Sequence, residues 1–559
     1  MKLYIFHYHL NPGGVTGVIR TSIEALTAEM RDIEEYILVT GDPTHADTLA
    51  DELPRPPRIL HMPEIGYLSL SQLSEPLGEL PTERAGTEDR AEIRERESSK
   101  LEARIREALL EQLEVKDAVW WVHNYHIGKN PVFTRALLRI SEERPEIRLL
   151  LQIHDFPEEA RYANLRYLSL IVSSTPYPVG KNIRYAAINS RDLRKLRDAG
   201  LPRDVTYLLP NPIPPESATT PFVTRSRSVR SAAARETGAG AGDESFPDRL
   251  ARAFSRSFPL FDPAAPIAIY PVRTIRRKNI LEAALLLGAL GRPINLVVTL
   301  PGVSQQEKNY SAMIEHAYNE GIIRGLWGIG TEIESAGVRF EELQAGADLF
   351  ISSSVQEGFG FQYIDSLKWG RPLIARDLEV LDDLRPMLKG SYFYSGVEVP
   401  TQTPSLSEVR PMLKMKYQER LDRLRETLPE VVLNRLEGEM SALLKSETVD
   451  FSFLMPQMQY TYVKDLRDPG FRSEVAALNP RTLSAIDTAV GGGPVPGAKE
   501  AMKAVREQFG FQAYADRFRE IVTSFDSPIS DVGDQTDGSV QRGLIEEFAT
   551  LDRLRLLFE

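Results

Sequence analysis

Short apolar runs bounded by turn residues alternate with longer amphipathic runs along this chain, and the alternation begins twice. In the first part KLYIF, EYILVT, DAVWWVH, IRLLLQIHD and VTYLLPNPI are separated by segments such as VIRTSIEALTAEM and VFTRALLRISEERP. Strands without polar alternation need cover on both faces, and helices between successive strands supply it. The pattern predicts a doubly wound parallel α/β domain over residues 1–215. It restarts with PIAIYPV, INLVVTL, DLFISSS and RPLIARD, which predicts a second such domain over 265–420. Between them, 216–264 changes to Ser, Thr, Ala, Gly and Arg and reads as a linker or excursion. Residues 421–559 read as a helical extension expected to pack back across both domains, with YADRFREIVTSF as a late amphipathic helix. The charged stretch between Pro81 and Gln112 reads as a long solvated helix. Two such domains in tandem predict a ligand cleft between them, at the carboxyl ends of the strands.

A chain of 559 residues has room for two large cores. It has no cysteine, which excludes disulfides, thiolate metal sites and a cysteine nucleophile. A formal charge of −12 argues against a general nucleic-acid binder. No apolar run reaches the length of about 18 residues that a transmembrane helix needs. The opening MKLYIFHYHL reads as a first strand rather than a secretory signal, so a cytoplasmic location is expected. Homo-oligomerisation stays open.

Ligands of open α/β sheets bind at strand carboxyl ends, so the residues that follow each strand are the site candidates. The first strand delivers Gly13 and Gly14 before a helix, where bare amides can approach an anion. The fourth delivers His123, Asn124, Tyr125 and His126, and the fifth delivers His154 and Asp155. Five of the eight histidines (His7, His9, His123, His126 and His154) fall at such ends in one domain. They read as a sugar-hydroxyl and acid/base pocket in preference to a metal site, because no acidic ligand pattern accompanies them. In the second half Arg273 ends a strand and Lys278 begins a helix, a suitable diphosphate clamp. The stretch SSSVQEGFGFQYID then places Glu357 before, and Asp365 just inside, a helix opened by Gly358, Phe359, Gly360 and Phe361. Carboxylates suit hydroxyls and the clamp suits phosphate, so the inferred ligand is a nucleoside-diphosphate sugar.

EGFGFQYIDSLKWGRPLIARD resembles the signature of retaining glycosyltransferases of the GT-B fold, the large family-four group that includes sucrose synthases and bacterial mannosyl- and glucosyltransferases. Arg273 and Lys278, Gly13-Gly14-Val15, His154-Asp155 and LPNPI (Leu209 to Ile213) match in order and spacing over about residues 1–400. The resemblance implies a hexosyltransferase that works with retention and without a metal or other cofactor. It implies that Glu357 contacts the transferred sugar, that Asp365 contacts the ribose, and that the amides from Gly358 to Phe361 hold phosphate and sugar. His154, Arg273, Lys278 and Glu357 are the implied catalytic set; Gly13 and Gly14 join the donor-binding set, and His123, Asn124, Tyr125 and His126 are assigned to an unidentified hydroxyl acceptor. Three departures stand out. Asp365 replaces the usual glutamate and is shorter by roughly 1.5 Å, YPVR lacks the usual glycine before the arginine, and the linker and last segment exceed the family plan. A phosphorylase or epimerase on the same fold, or a non-catalytic sugar-nucleotide binder, is the competing reading.

Overall fold

The computed structural model describes residues 1–74, 87–215, 245–529 and 538–555. It divides into two compact units: Met1–Pro215 with Leu424–Leu433 and Arg506–Arg553, and Glu216–Arg423 with Asn434–Val505 and Leu554–Glu559.

In the first unit seven parallel strands run in the order β3-β2-β1-β4-β5-β6-β7: β1 (Lys2–His7), β2 (Glu35–Thr40), β3 (Arg58–His61), β4 (Ala118–His123), β5 (Arg148–Ile153), β6 (Ile183–Ala187) and β7 (Thr206–Leu208). Side chains alternate across the sheet. Tyr4, Phe6, Trp120 and Val122 enter one core, while Leu3, Ile5, Val119 and Trp121 enter the core on the other face. Both cores need late residues of the chain. Helix Phe511–Ser524 contributes Tyr514, Ala515, Phe518 and Ile521 to the second core, and helix Ser539–Phe548 contributes Val540, Leu544 and Phe548 to the first. At about 1.5–3 kcal/mol for each large apolar side chain fully buried, these helices are structural parts of the unit.

In the second unit six parallel strands run in the order β10-β9-β8-β11-β12-β13: β8 (Ile267–Arg273), β9 (Asn295–Leu300), β10 (Gly325–Trp327), β11 (Leu349–Ser352), β12 (Leu373–Arg376) and β13 (Tyr392–Tyr394). An antiparallel pair, β14 (Glu398–Pro400) and β15 (Thr448–Asp450), stands apart from that sheet. The winding direction of each large sheet reverses at one point, between β1 and β4 and between β8 and β11. Crossovers diverge there and leave a crevice above the strand ends.

Several local readings change. The clamp helix begins at Ile280 rather than Lys278, because Arg276–Lys278 is a 3-10 turn and Asn279 is left-handed (φ 50°). Part of the expected linker, Phe246–Phe254, is a helix with Leu250 fully buried; residues 216–244, including the arginines of that stretch, lie outside the described residues. Helix Thr87–Gln112 is not solvated all round, since Ile105 and Leu109 are buried and Glu102 pairs with Arg135 and Arg139 at 2.7 and 3.0 Å. Among the described residues no helix is long and apolar enough to cross a membrane.

Candidate active site

The reversal point of the second sheet collects the charged residues expected there. Pro271 lies inside β8, where it cannot donate to a ladder. The β8–β9 register shifts between Tyr270 and Arg273, and the pairing with β11 involves Ala268 and Ile269. Arg273 thus stands past an irregularity at the strand end, part-buried, where its charge acts on Lys278 and on Glu307. Five residues on, the Lys278 Nζ donates to Glu357 Oε1 at 2.5 Å. Gln362 Nε2 donates to the same oxygen at 2.8 Å, and an Arg277 Nη1 lies 3.6 Å from the other. Burial pushes the Lys278 ammonium down to about 8 despite Glu357. Burial also opposes ionisation of Glu357, but Lys278 and Arg277 outweigh it and hold that carboxyl below its ordinary value. Both groups are therefore charged near neutral pH.

Gly360, at φ 99°, starts helix Phe361–Lys368; a Cβ there would meet the Tyr363 ring at 2.5 Å, so the turn requires glycine. No side chain caps this helix. Phe359 is buried and Phe361 is exposed, with their rings 5.0 Å apart. Asp365 accepts from Gln344 Nε2 at 3.4 Å, and burial pushes its carboxyl up to about 6.

One supporting network has no counterpart in the sequence reading. Arg376, at the end of β12, donates to both oxygens of Glu282 (3.1 and 2.6 Å) and to both of Asp450 (2.9 Å each), and Tyr394 donates to Glu282 at 3.0 Å. Asn279 Nδ2 donates to Glu282 at 2.7 Å, and Gln459 Nε2 donates to Asn279 Oδ1 at 2.9 Å. The left-handed residue directly after Lys278 is thereby tied to β12 and β15. Acid–base complementarity was visible in the residue types, but nothing local pairs residues this far apart in sequence.

In the first unit, Gly13 precedes helix Gly14–Glu29 in an extended conformation without a side-chain cap, and a Cβ on Gly14 would meet nothing within 4 Å. Packing inside the protein does not demand glycine at position 14. The histidines do gather. His123 Nδ1 and His154 Nε2 share a hydrogen bond of 2.8 Å, with the rings stacked 5.1 Å apart, and His7 lies 6.5 Å from His123 and 5.0 Å from His9. Burial lowers His7 to about 3, His154 to about 4 and His123 well below its ordinary value, so these rings are neutral. Asn124, at φ 52°, accepts from the amides of His154 and Asp155 at 2.8 and 3.2 Å and locks the ends of β4 and β5 together. Tyr125 is buried and donates to the Pro176 carbonyl. His126 is also fully buried, edge-on to Phe156 and Tyr177, with no partner for either ring nitrogen among the described residues. The structure thus brings His123, Asn124 and His154 into one group and turns Tyr125 and His126 into the core beside it. Among the described residues no three His, Cys, Asp or Glu side chains form a donor set for a cation.

Two doubly wound parallel sheets, with the EGFGF stretch at the reversal point of the second, define the architecture of the chain. Over 565 aligned residues, spanning 100% of this chain and 99% of the relative, it is 27% identical to mannosylglucosyl-3-phosphoglycerate synthase of Petrotoga mobilis. Among solved structures it is similar to Anabaena Alr3699/HepE in complex with UDP-glucose (TM-score 0.45, 11% identity, 94% of this chain and 100% of that chain). It is also similar to sucrose-phosphate synthase from Thermosynechococcus elongatus (TM-score 0.44, 14% identity, 94% and 99%). No family model matches.

Proposed function

We propose that the protein transfers a hexose from a nucleoside-diphosphate sugar to a hydroxyl acceptor with retention of configuration and without a metal. The observation that carries this reading is the buried Lys278–Glu357 pair beside the part-buried Arg273 guanidinium. Three cations, Arg273, Arg277 and Lys278, against the two carboxylates Glu357 and Glu307 leave one positive charge in surplus, suited to a diphosphate and strengthened by a partly dehydrated site. As the bond between the anomeric carbon and the diphosphate oxygen breaks, negative charge grows on that oxygen, facing Arg273 and Lys278. The acceptor oxygen forms its bond to the same carbon from the same face, and its proton passes to the departing phosphate. Glu357 is left to accept from the sugar's hydroxyls, the Gly358–Phe361 amides hold phosphate, and Asp365 serves the ribose directly or through a water. In the first unit, His154 is neutral and tied to His123, a ring that can donate to or accept from a hydroxyl.

The relative's name extends the proposal: the transferred sugar is mannose and the acceptor a glucosyl-3-phosphoglycerate. The test is to incubate the protein, with EDTA, with mannose carried on GDP, UDP or ADP and this acceptor, following nucleoside-diphosphate release and the anomeric configuration of the product by NMR. Release with an α-linked product from an α-donor supports the proposal; no release from any sugar nucleotide overturns it.

A further inference from the structure

Beside the histidine group of the first unit, the loops after three strands bring two cations together. Tyr67, beyond β3, is 55% exposed and its hydroxyl lies 3.0 Å from His9 Nε2. The Nζ of Lys129, in the loop after β4, stands 5.3 Å from the centre of the Tyr67 ring. That loop is fixed from behind. Gly128 takes φ 75°, a Cβ on it would meet the Asn164 carbonyl oxygen at 2.4 Å, and Asn164 Nδ2 donates to the Ile127 carbonyl at 2.9 Å. The contact holds Lys129 next to the start of helix Tyr162–Ile171, where Arg161 precedes the first turn. Arg161 is paired with Asp155 at 2.8 Å. Lys129 is part-buried, yet it has no carboxylate partner among the described residues. Burial, and then the neighbouring Arg161, push its ammonium below the ordinary lysine value.

A part-buried ammonium beside a guanidinium whose counter-charge is already used costs free energy in the unliganded protein, and an anion removes that cost. We infer that Lys129, with Arg161, Tyr67 and His9, forms a subsite for an anionic group of the acceptor, a phosphate or a carboxylate. Lys129 supplies a point charge, Arg161 a planar fork and the Tyr67–His9 pair a neutral donor. The identity of the occupant rests on the proposed transfer to an acidic glycoside; the location rests on the loop geometry and on the charges of Lys129 and Arg161.

Calorimetric titration of the full chain reads the subsite without catalysis. The inference expects 3-phosphoglycerate to bind, at least tenfold weaker binding in Lys129→Met, recovery in Lys129→Arg, and unchanged nucleoside-diphosphate binding in all three proteins. Inorganic phosphate matching 3-phosphoglycerate assigns the site to the phosphate, and glycerate doing so assigns it to the carboxylate. No binding of 3-phosphoglycerate, or binding untouched by Lys129→Met, overturns the subsite. Transfer assays keep the two claims apart. Sugar transfer with an unchanged acceptor KM in Lys129→Met overturns the subsite and leaves the transferase standing. Binding lost in Lys129→Met without transfer from any sugar nucleotide does the reverse.

Discussion

Lys278 carries two opposed demands, and they can be measured separately. Its charge is wanted by a diphosphate, while its burial disfavours that charge and lowers it to about 8 from an ordinary 10.5. Above about pH 8 the free protein loses the ammonium, so kcat/KM falls there; bound diphosphate retains the proton, so kcat falls at a higher pH. Stability moves the other way. Between about pH 8 and 10.5 the unfolded chain holds a proton that the folded chain has released, so this group's contribution to stability rises with pH through that window. Matched rate and denaturation profiles over pH 7–10 check the opposition. Substitution separates charge from support as well. Lys278→Met leaves Glu357 buried with only Arg277 near it and is expected to cost about 3–5 kcal/mol in urea unfolding. Adding Glu357→Gln recovers much of that stability and none of the activity. These two residues were legible in the sequence because each adjoins a strand end or a glycine-bearing turn. Arg376 was not, since its partners Glu282 and Asp450 lie 94 and 74 positions away.

At the scale of elements, continuous apolar runs became the expected parallel strands because a two-faced core permits no other pattern. Helix boundaries were less legible. Asn279, left-handed and bound to Glu282 and Gln459, starts the clamp helix two residues late and leaves Lys278 in a tight turn. Helix Phe511–Ser524 was readable as amphipathic, but its partner was not. Phe518 packs its ring 5.1 Å from Trp121 of β4, the strand that ends at His123. Phe518→Ala is therefore expected to cost about 3–5 kcal/mol, with hydrogen-exchange protection falling in β1 and β4 and holding in β8 and β11. Equal losses in both sheets would contradict the assignment of this helix to the first unit.

For the whole molecule, the late segment is the part that composition and periodicity explained least. It is neither a tail nor a separate domain. The first unit recruits residues 424–433 and 506–553, while 434–505 stay with the second. The sequence likeness to the mannosylglucosyl-3-phosphoglycerate synthase also runs through this segment, covering 100% of the chain. A chain cut after residue 505 is expected to lose both covering helices of the first unit. It should aggregate or bind a hydrophobic dye, and the full chain is expected to do neither. That ligands sit at strand carboxyl ends, by contrast, follows from pattern alone, since a doubly wound sheet places them there whatever its side chains. What the sequence could not supply was which polar partners meet at those points, because that depends on loops pinned by contacts such as Gly128 on Asn164 and Asn124 on His154.

Arg273 and Lys278 are proposed to stabilise a departing nucleoside diphosphate. The most direct measurement of that role is the initial rate of diphosphate release from a saturating mannose nucleotide and acceptor, in the full chain and in Lys278→Ala, with nucleotide binding measured on both. In Lys278→Ala kcat is expected to fall by about 10²–10³-fold while the affinity for donor changes far less. A Lys278→Ala protein that turns over at the wild-type rate would contradict that role.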